Sequence, residues 1–240
     1  FIFLALRNSM LLYYFKYYLD PESMRTFLVN IDKGLFGLLE GLKMTAEGAN
    51  YADNSFSVIN IIGQLAAIPG IAAGNAMARR FGKRDVFRAW IIVAGVMAAL
   101  FFVVPPSGIW AILILSILFN FSWGVTMPLP WAMMADVADY SEWKFSRRAT
   151  GIVFAGIVVG LKVGLAIGGA VAGWLLKAYG YVANVEQTST AVQGIRLSVS
   201  IFPVIAIILC VVALFIYGIG KKVEYQMQDE LAERRNAYAG

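Results

Sequence analysis

The sequence has no histidine, one cysteine (Cys210) and few charges: 15% of its 240 residues are Asp, Glu, Lys or Arg, against about a quarter in soluble domains. Without histidine, no side chain titrates near neutral pH at its ordinary value, so proton chemistry would fall to shifted carboxylates or a lysine. A lone cysteine excludes an internal disulfide, and its place in an apolar run reads as a small buried hydrophobe. No phosphate-binding glycine loop, zinc-ligand set or nucleophile elbow occurs. An ATP-driven pump within this chain is thereby disfavoured, and neither a catalytic residue, a metal site nor an organic cofactor is expected. The apolar runs carry no Asp, Glu or His at depth, which ranks a membrane-embedded enzyme last, since only Lys, Arg and Tyr remain for acid–base work there. The chain opens Phe-Ile-Phe, with neither an initiator Met nor a basic leader, and this reads as a cut in a longer protein.

What is present is apolar: 60% of the residues are hydrophobic, gathered into runs long enough for a bilayer core of roughly 20 residues per helix. Six spans are expected, at about 1–19, 54–78, 85–104, 108–135, 149–176 and 197–218. The first ends in an aromatic girdle, Tyr13-Tyr14-Phe15 and Tyr17-Tyr18, suited to a membrane interface. Residues 20–53 form a long polar connection, with a short surface helix expected around Leu35–Leu42. The fourth span is interrupted by Pro128 and Pro130, a charged loop follows at Asp136–Arg148, and 219–240 is a charged tail. The net charge of +5 sits in clusters between apolar runs, the pattern of cytoplasmic loops and not of a nucleic-acid surface. Spans alternate, so Arg79–Arg88, Asp136–Arg148 and the tail share one side, and they hold 12 of the 20 basic residues. That side is therefore read as cytoplasmic, and residues 20–53 as extracytoplasmic.

Lys162 lies near the middle of the fifth span, where a charge costs several kcal/mol and calls for a cavity or a partner. On the same helix Gly156, Gly160, Gly164 and Gly168 recur every four residues, with Ala172 continuing the series. Such a stripe lets a neighbouring helix approach closely, and Lys162 falls on the opposite side. In the fourth span Asn120, Ser122, Trp123, Gly124 and Thr126 precede the two prolines; Trp123 is suited to stack on a sugar face and Asn120 or Thr126 to bond hydroxyls. Helix–helix hydrogen bonds are an equal reading of these polar groups. Asn60 and Gln64 share a face of the second span and are read first as packing glue. Arg7, beside Asn8, needs a partner if the chain is cut within a helix and is interfacial if it is not. The segment Asp136, Asp139, Glu142, Lys144, Arg147 and Arg148 balances three acids with three bases, either as a solvated loop or as a salt-bridge latch in a moving protein. Glu230 and Arg234 stand at helical pairing distance in a tail expected to extend the sixth span.

The stretch Met134-Ala-Asp136-Val-Ala-Asp139-Tyr140-Ser-Glu142-Trp143-Lys144, continuing through Arg148 to Lys162, resembles the glycoside–pentoside–hexuronide:cation symporter family of the major facilitator superfamily. Gly180-Tyr181, Asn184-Val185-Glu186-Gln187 and Asn8 with Tyr13-Tyr14-Phe15 are similar too. The resemblance implies an all-α membrane protein, a six-transmembrane-helix bundle equivalent to the C-terminal half of a major facilitator fold. It implies a start partway through a helix, which puts Arg7 in the membrane. It marks Lys162, Arg7, Asn8, Tyr14, Asn120, Trp123 and Thr126 as candidates for substrate contact or cation coupling. Asp136, Asp139, Glu142, Lys144, Arg147 and Arg148, with Arg80 and Arg84, become a cytoplasmic gate between two halves. Two departures stand out. The family's main cation-binding carboxylates lie in an N-terminal half that this chain does not contain. A Gln-Thr pair and a tryptophan found in a galactoside-carrying member are Ile157-Val158 and Met127 here, so the sugar contacts differ.

The function expected is secondary active symport of a sugar or glycoside with Na⁺ or H⁺ across a bacterial inner membrane. The N-terminal half, the substrate and the bilayer are the expected partners. The alternatives are a six-helix homodimeric transporter, which would need membrane carboxylates of its own, and an inactive truncated membrane protein.

Overall fold

The computed structural model describes residues 1–46, 48–183 and 185–239, the last five by their backbone. Glu47 of the long connection, Asn184 of the resemblance and Gly240 lie outside the described residues. All regular structure among the described residues is helical. In chain order the helices are α1 (Ile2–Tyr17), α2 (Pro21–Gly34), α3 (Leu38–Gly41), α4 (Tyr51–Phe81), α5 (Lys83–Leu100) and α6 (Ile109–Thr126). They continue as α7 (Leu129–Phe145), α8 (Thr150–Ala178), α9 (Ser189–Val199), α10 (Ile201–Ile216) and α11 (Lys221–Ala239). Among the described residues, four stretches are long and apolar enough to cross a membrane: Tyr51–Phe81, Ile109–Phe145, Thr150–Ala178 and Ser189–Ile216. α1 has only 16 residues, and α5 opens on Lys83, Arg84, Asp85 and Arg88, so neither meets that measure.

The connection at 20–53 is not an open loop. Asp20 caps α2, accepting from the Ser23 backbone N–H at 2.8 Å, and Pro21 sits at the first helical position, where its missing N–H costs nothing. Met24, Phe27 and Leu28 of α2 are buried, with Phe27 edge-on to Trp110 at 5.0 Å. The surface helix expected around Leu35–Leu42 shrinks to the single turn of α3. The buried Asp32 carboxylate takes up its free backbone donors, from Leu39 at 2.7 Å and Glu40 at 3.0 Å.

Three further boundaries differ from the sequence reading. The two prolines break the fourth span between α6 and α7, but helix resumes at once and runs to Phe145. Most of the expected charged loop Asp136–Arg148 is therefore helical. The last span is jointed at Ser200, whose hydroxyl bonds the Arg196 carbonyl at 2.6 Å. Pro203 has no N–H to continue the helical ladder across that joint. The tail is helical as expected, but it does not extend α10. The chain breaks at Tyr217–Gly220, and α11 packs along α7 with Met227 and Leu231 buried.

α4 and α6 make the tightest helix pair. Gly70 lies against the Phe121 backbone, Gly74 has the Val125 carbonyl oxygen 2.6 Å from where a Cβ would stand, and Gly124 meets Ala67 in return. Small residues at a crossing let backbones touch where lipid supplies no hydrophobic drive. On α8 the stripe divides. Gly164 and Gly168 pack on the first turns of α1, with Ala172 buried beyond them, whereas Gly156 and Gly160 face open space.

Candidate functional site

A cavity of about 360 Å³ opens between α1, α4 and α6. Its polar lining comes from three helices: Arg7 and Asn8 of α1, Asn60 and Gln64 of α4, and Ser116, Asn120 and Trp123 of α6. Leu4, Leu11, Phe15, Phe56, Ile59 and Phe119 supply the apolar wall. The spacing explains the convergence. Asn60 and Gln64 lie one turn apart on α4, as do Ser116 and Asn120 on α6, so each pair shares a face. Gly63, between the α4 residues, has the Asn120 amide nitrogen 2.7 Å from where a Cβ would be. Any side chain at 63 would push Asn120 out of position. One Asn120 N–H is spent on the Ser116 carbonyl at 2.8 Å. Asn8 and Gln64 are exposed where the cavity opens, while Arg7 is buried at 3% exposure.

Arg7 has an unusual setting. Its guanidinium carbon stands 4.2 Å from the centre of the Phe119 ring and 4.5 Å from that of Phe101. Two of its nitrogens, Nε and Nη2, are buried without a hydrogen-bond partner among the described residues. Phe101 is fixed in turn by the Tyr14 hydroxyl, which donates to the Phe101 carbonyl at 3.0 Å. Tyr14 is fully buried and stands outside the cavity, bracing the wall behind Arg7.

A larger and more apolar cavity of about 580 Å³ adjoins on the other side of Trp123 and Met127. Thr126, Trp131 and the partly buried Cys210 line it. The Thr126 hydroxyl donates to the Trp123 carbonyl at 2.8 Å, bonding back at the helix break. Ser122 likewise bonds back to Leu118 at 2.7 Å. Lys162 lines neither cavity. It is exposed on α8, on the side away from the Gly164–Gly168 contact, among exposed Val159, Val163 and Ile167. The structure thus brings Arg7, Asn8, Asn120 and Trp123 together and adds Asn60, Gln64 and Ser116. Thr126 lies in the neighbouring cavity, and Tyr14 and Lys162 stand apart.

At the far end of α4, α5 and α7 the charges form a lattice in which the tail takes part. Lys83 binds both Asp136 oxygens, at 2.6 and 2.8 Å, and Glu224 of α11 at 2.9 Å. Arg148 reaches Asp139 at 3.2 Å and Glu142 at 3.6 Å. Arg84 pairs with Asp85 at 3.1 Å, and the Arg80 carbonyl accepts from Lys221 at 2.8 Å. Lys144 stays on its own helix, donating to the Tyr140 hydroxyl at 3.1 Å, and the Arg147 carbonyl accepts from Ser141 at 2.8 Å. Glu230 and Arg234 both close on Trp143: its indole N–H donates to Glu230 at 2.6 Å, and Arg234 donates to its carbonyl at 3.0 Å. The indole bond, with a second from Gln226, holds the half-buried Glu230 carboxyl below the usual carboxylate range. Lys83 and Glu224, the centre of the lattice, could not be paired from the sequence because the contact spans 141 positions in the chain.

Long apolar helices enclosing a polar cavity, with most charges gathered in the connections and at helix ends, mark an integral membrane protein. Residues 48–221 match the family described as MFS/sugar transport protein, and the chain belongs to that family. Over 146 residues it is 40% identical to an uncharacterized 29.9 kDa protein in the crtE 3' region of Pseudescherichia vulneris, covering 58% of this chain and 52% of the relative. It is 40% identical over 159 residues to the putative glycoside/cation symporter YagG of Escherichia coli, covering 66% of this chain and 32% of the relative. A putative 2,3-dihydroxypropane-1-sulfonate exporter of Salmonella typhimurium is 30% identical over 161 residues, 66% of this chain and 34% of the exporter. The chain therefore spans about half of the first relative and about a third of the other two. The resemblance to glycoside–pentoside–hexuronide symporters is borne out, and with it a family of transporters.

Proposed function

We propose that this chain is the C-terminal half of a secondary transporter that carries a sugar or glycoside with Na⁺ or H⁺ by alternating access between two six-helix halves. The observation that carries the reading is the cavity of Arg7, Asn8, Asn60, Gln64, Ser116, Asn120 and Trp123, enclosed by otherwise apolar helices. An aromatic face beside several amides suits a polyhydroxylated ring, with hydroxyls bonded at the edge and the apolar face stacked. In this reading α1 and α5 also cross the membrane, giving six spans. Relatives named for a glycoside and for a small sulfonate leave room for neutral or anionic polar cargo.

Two features support a missing half. α8 presents exposed Val159, Val163 and Ile167 together with Lys162, and a charged residue within such a face calls for a partner. The relatives are also two to three times the length of the aligned region. Lys162 would then pair with carboxylates of the other half and be displaced when a cation occupies them, linking ion and sugar occupancy. The Lys83–Asp136–Glu224 lattice and the Arg148 pairs would be the cytoplasmic gate, in a bacterial inner membrane with the tail inside. The test is uptake of labelled sugars into vesicles bearing the full-length protein, with and without a Na⁺ or H⁺ gradient. Lys162→Gln should abolish stimulation by the gradient. Undiminished cation-stimulated uptake by that variant would refute the coupling role.

A further inference from the structure

We infer that the cavity is built for an acidic sugar, with Arg7 as the residue that binds its carboxylate or sulfonate; this rests on the transport reading above. Arg7 is 3% exposed, yet no hydrogen bond or ion pair satisfies its guanidinium among the described residues. Arginine stays charged at any physiological pH, so it cannot escape the cost of burial by losing its proton. The faces of Phe101 and Phe119, at 4.5 and 4.2 Å, offset part of that cost and hold the plane of the group. They leave its in-plane N–H donors unused. Nε and Nη2, the two unpartnered nitrogens, form the side-on edge of the fork, which matches the two oxygens of a planar or tetrahedral oxyanion.

The remaining polar lining is neutral: Asn8, Asn60, Gln64 and Asn120 are amides, and among the described residues no acid lines the cavity. A neutral sugar would leave the one buried charge uncompensated, whereas an acidic sugar supplies its counter-charge and leaves the amides for its hydroxyls. The edge is sealed in this structure, so binding requires the guanidinium to swing from between the rings toward the cavity. Two freed aromatic faces would remain to pack against the sugar.

The experiment is competition for uptake by the full-length protein in vesicles, with glucuronate, 6-sulfoglucose and glucose as probes. Wild type is expected to prefer at least one acid over glucose by tenfold or more, and the two acids separate carboxylate from sulfonate recognition. Arg7→Gln should weaken the preferred acid by on the order of 10- to 100-fold more than it weakens glucose, the worth of a charge-assisted bidentate pair. Arg7→Lys should keep part of the preference, as a charge without the fork. Equal affinity for acids and glucose in wild type overturns the inference, even if Arg7→Gln fails to fold. An equal loss for all three probes in Arg7→Gln also overturns it, because the residue would then hold the fold or a carboxylate of the other half. No saturable uptake of any probe would instead defeat the transport reading itself.

Discussion

Adjacent glycines on α8 give a sharp test of which helix face is packed. At Gly168 a Cβ would stand 2.7 Å from the Ala5 Cβ, 2.7 Å from the Ile2 carbonyl oxygen and 3.1 Å from the Leu6 backbone nitrogen. Two of these three atoms are backbone, so no rotamer change relieves the clash. To regain ordinary contact, α1 must move by roughly 0.7 Å or more, and overpacking of this kind costs about 1–3 kcal/mol. At Gly169 a Cβ would meet nothing within 4 Å. Both substitutions gain the same helix propensity, at most ~1 kcal/mol for Gly→Ala, which cancels when the two variants are compared. Gly168→Ala should therefore be less stable than Gly169→Ala by about 1–3 kcal/mol, a 5- to 150-fold change in the folding equilibrium. The assay is thermal unfolding of the purified protein in detergent, followed by loss of the monodisperse peak. Because α1 carries Arg7 and Asn8, Gly168→Ala should also weaken substrate binding, and Gly169→Ala should not. Equal midpoints, or a larger loss at Gly169, would refute this assignment of the packed face.

Two further outcomes are expected at the charged end. Lys83→Met should cost about 3 kcal/mol, because it leaves the buried Asp136 unpaired beside Glu224; a loss no larger than that of Glu224→Gln, seen by thermal unfolding, would contradict the central role of Lys83. The Glu230 carboxyl is depressed in the fold, so its bond to Trp143 is complete above the ordinary glutamate range and is lost as pH falls through the lower folded value. The emission difference between wild type and Trp143→Phe should shift on acidification, and that shift should vanish in Glu230→Gln; persistence of the shift would rule out this carboxyl as its source.

The sequence by itself determined the membrane character, because runs of about 20 apolar residues have no other stable solvent. It also determined the break at Pro128 and Pro130 and the family, through the Asp136–Lys162 stretch, and four of the six expected spans coincide with helices long and apolar enough to cross a membrane. The glycine stripe on α8 was legible from its period, since side chains four apart share a helix face whatever surrounds them. Periodicity does not say how much of a stripe is covered, and only packing showed Gly164 and Gly168 against α1 with Gly156 and Gly160 free. The α4–α6 seam of Gly70, Gly74 and Gly124 went unseen because its members lie on two helices some 50 residues apart. The same holds for the site. Asn60 and Gln64 were indistinguishable from packing residues until α4 and α6 set them opposite Asn120. Arg7 was ambiguous until Phe101 and Phe119 closed on it. Lys83 found Glu224 only because the chain breaks at Tyr217–Gly220 and lays α11 along α7. A helix carries its own hydrogen bonds and can be read locally, but a cavity belongs to several helices at once, and only their packing decides what it contains.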